Sequence, residues 1–171
     1  MKTRPMVFIA ILVAIEVVLT RFFAIETPII RVGFGFVPIA LSAIIFGPII
    51  GGITAATADV LGMLLFPKGV YFPGFTLSAF LTGLTYGLFL YNKPKKFFNI
   101  TLSVLIITLV IHLGLNTLWI SILTGKAYRV LILPRIIKEL LLIPVQIILI
   151  HFSWQYAGRK IREKFLLFNK N

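Results

Sequence analysis

From Phe97 to Thr124 the chain carries no charged side chain. Backbone amides in a run that long and that apolar have to be satisfied within the run itself. That makes it a helix, and its length is enough to cross the roughly 30 Å hydrocarbon core of a bilayer. The same texture recurs along the chain, broken only by short polar or Gly/Pro-containing segments. Of the 171 residues, 59% are hydrophobic and 13% charged, and mean hydropathy is +1.04. Soluble domains lie at roughly 45–50% apolar and about 25% charged. The expected fold is an all-α integral membrane protein, a single bundle of six transmembrane helices over residues 1–171. With no cysteine, disulfides and thiolate metal sites are excluded, and no metal or cofactor is expected.

The net charge of +12 could mark a nucleic-acid partner. Most of the basic residues flank apolar runs, however, so they read as the orientation signal of a membrane protein and no nucleic acid is expected. Spans are predicted from about Pro5 to Ile25, Phe36 to Phe46, Ile50 to Phe66, Thr76 to Leu90, Phe98 to Leu123 and Val130 to Tyr156. Glu26-Thr27-Pro28 ends the first, and Ile29 to Gly35 forms a short loop. Gly47-Pro48 and Gly51-Gly52 are expected to make the next turn, and Pro144 to kink the last span. Lys2, Arg4, Lys93, Lys95, Lys96, Arg159, Lys160, Arg162, Lys164 and Lys170 then share one side, which places both termini in the cytoplasm. Met1-Lys2-Thr3-Arg4 followed by an apolar run resembles a secretory signal, but no A-x-A site follows, so the first helix is expected to stay in the bundle.

The stretch from Asp59 to Gly87 is the most unusual. Pro67, Gly69 and Pro73 break the helical pattern within a few residues. Tyr71, Phe72 and Phe75 crowd the break, and Asp59 lies about two helical turns below it. A carboxylate beneath a rigid aromatic loop suits a pocket for a flat ligand with polar edges. An interfacial aromatic belt over a simple turn explains the same residues.

Seven basic residues fall toward the outer side: Arg21, Arg31, Lys68, Lys126, Arg129, Arg135 and Lys138, with Glu26 opposing them at the surface. They would form either an anion-attracting mouth or a set of snorkelling side chains. Arg135, Lys138, Leu142 and Gln146 share one helical face. Charges at that depth need a cavity or partners, for which Glu16, Asp59 and Glu139 are the candidates. His112, Asn116 and Trp119 share a face of the fifth span. Asn116 would seek a partner helix or a ligand edge and Trp119 would offer a stacking surface, whereas His112 reads as a helix-contact residue. Ala10 and Ala14 form a small-xxx-small pair that admits a close neighbour, inside the bundle or outside it. A P-loop, H-E-x-x-H and G-x-S-x-G are all absent from the sequence, which argues against an ATPase of the P-loop type and against those hydrolases.

These residues resemble a known family. Arg31-Val32-Gly33-Phe34, Gly47-Pro48 with Gly51, Asp59 with Gly62, and above all Tyr71-Phe72-Pro73-Gly74-Phe75-Thr76-Leu77-Ser78-Ala79 carry the likeness, joined by Asn116-Thr117-Leu118-Trp119 and Arg135-Ile136-Ile137-Lys138. The chain is similar to the substrate-binding S components of energy-coupling factor (ECF) vitamin transporters, most closely the folate-specific members. The resemblance implies a binding site near the outer face under the loops after spans 1, 3 and 5. It also implies docking of the Ala10/Ala14 face on a transmembrane coupling protein, power from two cytoplasmic ATPases, and a place in the bacterial plasma membrane. Val18 departs from the extended small-residue pattern of that face. The substrate-binding set expected on these grounds is Arg31, Phe34, Asp59, Tyr71, Phe72, Pro73, Gly74, Phe75, Asn116, Trp119, Arg135 and Lys138, with no catalytic residue. Competing readings are an S component for another vitamin or pterin-like compound, a small membrane enzyme acting on an anionic lipid, and a purely structural subunit.

Overall fold

The computed structural model describes residues 3–26 and 31–168, with side chains from 3 to 25 and from 32 to 163. Thr27, Pro28, Lys2, Lys170 and the side chains of Glu26, Arg31 and Lys164 lie outside the described residues. Helix α1 is Thr3–Arg21, α2 Phe36–Phe46, α3 Pro48–Leu65, α4 Pro73–Leu90 and α5 Phe97–Thr124. Helix α6, Tyr128–Ser153, runs through a π-helical segment, Trp154–Gly158, into α7, Arg159–Phe168. Five of the helical stretches are long and apolar enough to cross a membrane. Helix α2 is shorter, and every residue from Pro38 to Ile45 is buried, so protein rather than lipid surrounds it.

Two local expectations are corrected. Gly51-Gly52 is not part of a turn; Pro48 starts α3 at its first position and both glycines are helical. They are there for contact. A Cβ on Gly83 of α4 would sit 2.2 Å from the Gly51 carbonyl oxygen, and one on Gly87 would sit 2.2 Å from Pro48 Cα. Without side chains between them, α3 and α4 approach backbone to backbone, which is how helices associate where lipid removes the hydrophobic drive. Gly47, at φ +100°, makes the turn alone with Pro48. The expected loop after α1 is instead a short antiparallel ribbon, β1 (Ile25–Glu26) against β2 (Arg31–Val32), with Ile25 paired to Val32.

Helix α5 spans where expected but is not uniform. Its middle, Ile107–Leu115, is π-helical, with the Asn116 amide donating to the Ile111 carbonyl. The core packs against this part of α5, where Ile44, Tyr86, Leu90, Ile100, Val104, Ile107 and Ile150 are almost fully buried. Between that core and the α3–α4 loop, the helices enclose the site.

Candidate binding site

A cavity of about 440 Å³ opens at the end of the bundle where the α3–α4 loop lies. Its walls come from α1 (Glu16, Thr20, Arg21), α3 (Asp59, Met63), the loop (Lys68, Val70, Tyr71, Phe72), α4 (Phe75, Ser78, Tyr86), α5 (His112, Asn116) and α6 (Arg135, Lys138, Gln146). That volume falls within the usual range for small-molecule sites, about 300–1,000 Å³.

The Phe-Pro-Gly-Phe block builds one rim. Pro73 occupies the first turn of α4, where its missing N–H costs nothing. Gly74 follows because a Cβ there would come within 2.5 Å of the Phe72 ring and 2.7 Å of Trp119. Phe72 is thereby wedged between Trp119, at 5.6 Å between centroids, and Phe75, at 6.1 Å. Trp119 Nε1 donates to Ser78 Oγ at 3.0 Å, which fixes the indole behind Phe72. Trp119 therefore supports the wall and does not line it; Pro73 and Gly74 likewise shape the rim without facing the cavity. Phe34 is 42% exposed, with its ring near Phe36, and lies off the cavity, while its neighbours Gly33 and Gly35 line it. Arg31 begins β2, beside the mouth in sequence, and its side chain lies outside the described residues.

Of the acids expected to pair with Arg135 and Lys138, Glu139 does pair with Lys138, whereas Asp59 is engaged elsewhere. Asp59 Oδ2 accepts from the Thr76 hydroxyl at 2.7 Å, and Thr76 Oγ1 lies 3.2 Å from the Tyr71 hydroxyl. This chain of three links α3 to the aromatic loop. Glu139, 1% exposed, takes Lys138 Nζ at 2.6 Å and His112 Nδ1 at 3.1 Å on one oxygen. His112 is thus both a helix contact and part of the cavity wall. Arg135 has no carboxylate within salt-bridge distance among the described residues. Its guanidinium donates to the His112 carbonyl at 3.2 Å and the Asn116 carbonyl at 3.5 Å. Lys68 Nζ donates to the Arg21 carbonyl and ties the loop across the end of α1. Arg21 is 3% exposed and lies against Gly62.

Four cavity-lining residues present buried polar atoms that have no hydrogen-bond partner among the described residues: Tyr86 Oη, Asn116 Oδ1, Arg135 Nε and Gln146 Oε1. Buried polar atoms left alone each cost about 1–3 kcal/mol. Several in one cavity mark a surface suited to a ligand with donors and acceptors on its edges. Tyr86, Gln146 and Thr82 were not among the sequence candidates. A tyrosine in a span has no signature apart from its neighbours, although Gln146 was legible as part of the Arg135 face.

The family model for the substrate-specific component of ECF transporters matches residues 4–153. The chain belongs to that family. This S component is 49% identical, over 99% of both chains, to the folate transporter FolT of Clostridium novyi (strain NT). It is 31% identical to the folate transporter FolT of Leuconostoc mesenteroides subsp. mesenteroides, over 89% of this chain and 85% of that one. Among solved structures, a crystal structure of FolT bound with folic acid superposes with a TM-score of 0.82 at 43% identity, covering 86% of this chain and 89% of the other. The S component is thus a multi-pass membrane transport subunit.

Proposed function

We propose that this S component captures folate at the outer face of a bacterial plasma membrane for ATP-driven uptake. The carrying observation is the convergence of Tyr86, Asn116, Arg135 and Gln146, each with an unsatisfied polar atom, on one aromatic-walled cavity. Two curated relatives named folate transporters support the choice of ligand. Folate has a flat pterin with a polar edge, an aromatic linker and a glutamate with two carboxylates. The pterin suits the deep wall, where Asn116, Gln146 and Arg135 offer acceptors and a donor. Phe72 and Phe75 flank the linker. The carboxylates stay toward the mouth, because desolvating them costs more than desolvating the rings; Lys68 is the cation lining it there, and Arg31, at the start of β2, is the second residue we assign to them. Lys138 contributes less to this clamp than its charge suggests, since Glu139 already neutralises it.

In this reading the six helices all count as spans, and both termini are cytoplasmic. Ala10 and Ala14, which are exposed on α1 and not packed inside the bundle, dock on the transmembrane coupling protein, and two cytoplasmic ATPases supply the energy. The protein itself has no catalytic residue. Mass spectrometry of small molecules extracted from the purified protein tests the ligand directly. Folate should co-purify; a different vitamin in its place, with folate failing to bind on titration, would overturn the assignment.

A further inference from the structure

The opposite end of the bundle carries a second polar arrangement. Asn92, with a left-handed φ of 51°, turns the chain after α4. Its Oδ1 accepts from the Arg162 guanidinium of α7. Three residues on, the Lys95 ammonium stands 4.9 Å from the centroid of the Trp154 ring. Trp154 is itself held: it packs on the main core and lies over Gly158, where a Cβ would come within 2.5 Å of the indole. Both cations are therefore fixed by the fold and do not simply reach for solvent. Among the described residues neither has a carboxylate partner. Glu163, the acid of this end, is exposed and lies 3.9 Å from Arg159. Burial, and then the neighbouring charge of Arg162, push the Lys95 pKa down to about 8. A fold that holds two cations near each other without an acid is stabilised by an anion placed between them.

The surroundings say what kind of anion. Phe97, Phe98, Phe152 and Tyr156 are all at least half exposed and ring this end of α5 and α6. Exposed aromatics in a membrane protein sit at headgroup depth, and basic pockets between helices at that depth suit lipid phosphates. We propose that Lys95 and Arg162 form a binding site for the phosphate of an anionic phospholipid headgroup. Asn92 orients the guanidinium, and Trp154 orients the ammonium.

The test is native mass spectrometry of the whole protein released from nanodiscs containing phosphatidylglycerol and phosphatidylcholine. The intact protein should retain phosphatidylglycerol preferentially. Losing two charge-assisted hydrogen bonds in Lys95→Gln/Arg162→Gln should cut that preference about tenfold or more. Lys160→Gln removes an equal charge from the same end and should leave the preference nearly intact, as should Lys95→Arg. Circular dichroism checks that each variant is folded. Undiminished preference in the double variant would overturn the proposal, as would an equal loss in Lys160→Gln, which would mean diffuse surface charge. Displacement of the lipid by excess inorganic phosphate would assign the site to free phosphate and overturn the lipid reading.

Discussion

Removing the Glu139 carboxylate tests the division of charges in the cavity wall. Glu139 is 1% exposed, and one of its oxygens is shared by Lys138 at 2.6 Å and His112 at 3.1 Å. In Glu139→Gln the Lys138 ammonium loses its counter-charge. Stripping one member from a fully buried pair costs roughly 3–5 kcal/mol. The Lys138 side chain keeps 14% of its exposure, toward the cavity, so water recovers part of this. About 2–3 kcal/mol remains after that screening, or a fall of roughly 4–12 °C in melting temperature for a chain of this size. Lys138→Met should fall less, because Glu139 keeps His112. Replacing both by apolar residues, Lys138→Met/Glu139→Leu, should recover most of the loss, since a buried pair exchanged whole is often close to neutral. The assay is thermal unfolding in detergent without ligand, completed as a double-mutant cycle. Additive effects in the cycle would refute the pair. So would a Lys138→Met protein that melts normally yet loses folate affinity while keeping affinity for a pterin lacking the glutamate, because Lys138 would then be a carboxylate clamp.

Phe72→Ala and Trp119→Ala should each weaken ligand binding by about 1–3 kcal/mol, measured by calorimetric titration; Trp119→Phe should recover much of the loss if the indole acts by holding Phe72, and no recovery would mean that Trp119 touches ligand itself. Gly83→Ala should sharply reduce the yield of folded protein, because its Cβ would meet the Gly51 backbone at 2.2 Å; normal yield and melting would refute the close helix contact. Ala10→Leu with Ala14→Leu should leave ligand binding intact and abolish uptake in cells that contain the coupling protein, whereas loss of both would point to a role inside the bundle. A topology reporter fused after Lys96 should read cytoplasmic and one at Lys126 external; the reverse pattern would overturn the proposed orientation.

The helices were legible because long apolar runs leave few alternatives, and even α2 was placed at Phe36–Phe46. Gly51-Gly52 was misread for a physical reason. Glycine pairs punctuate soluble chains, but inside a membrane bundle the same lack of a side chain serves helix contact. The ribbon at Ile25–Glu26 and Arg31–Val32 is too short to leave a periodic signal. In the candidate site, helical spacing put Asn116 on one face and Arg135, Lys138 and Gln146 on another, and the fold turns these four residues to the cavity. Spacing could not foresee that Gly74 lets Trp119 pack behind Phe72, because that depends on a contact between distant segments.

The π-helical turn in α5 has no signal in the sequence, and it lies where α5 meets Arg135 of α6. Counting carboxylates against cations suggested that Arg135 would pair with an acid. His112, inside the widened segment Ile107–Leu115, and Asn116, just after it, both turn their carbonyls to the Arg135 guanidinium, while Leu113 accepts from Tyr128. Such segments often occur at functional sites. Carbonyl dipoles satisfy the donors of an arginine without cancelling its charge. Arg135 therefore turns to the cavity a guanidinium with no carboxylate contact among the described residues, whereas Lys138 is paired with Glu139 one residue further along. A ligand edge that presents a carbonyl or an anionic oxygen beside Asn116 meets that charge in a low-dielectric wall, where it acts more strongly than at the solvated mouth.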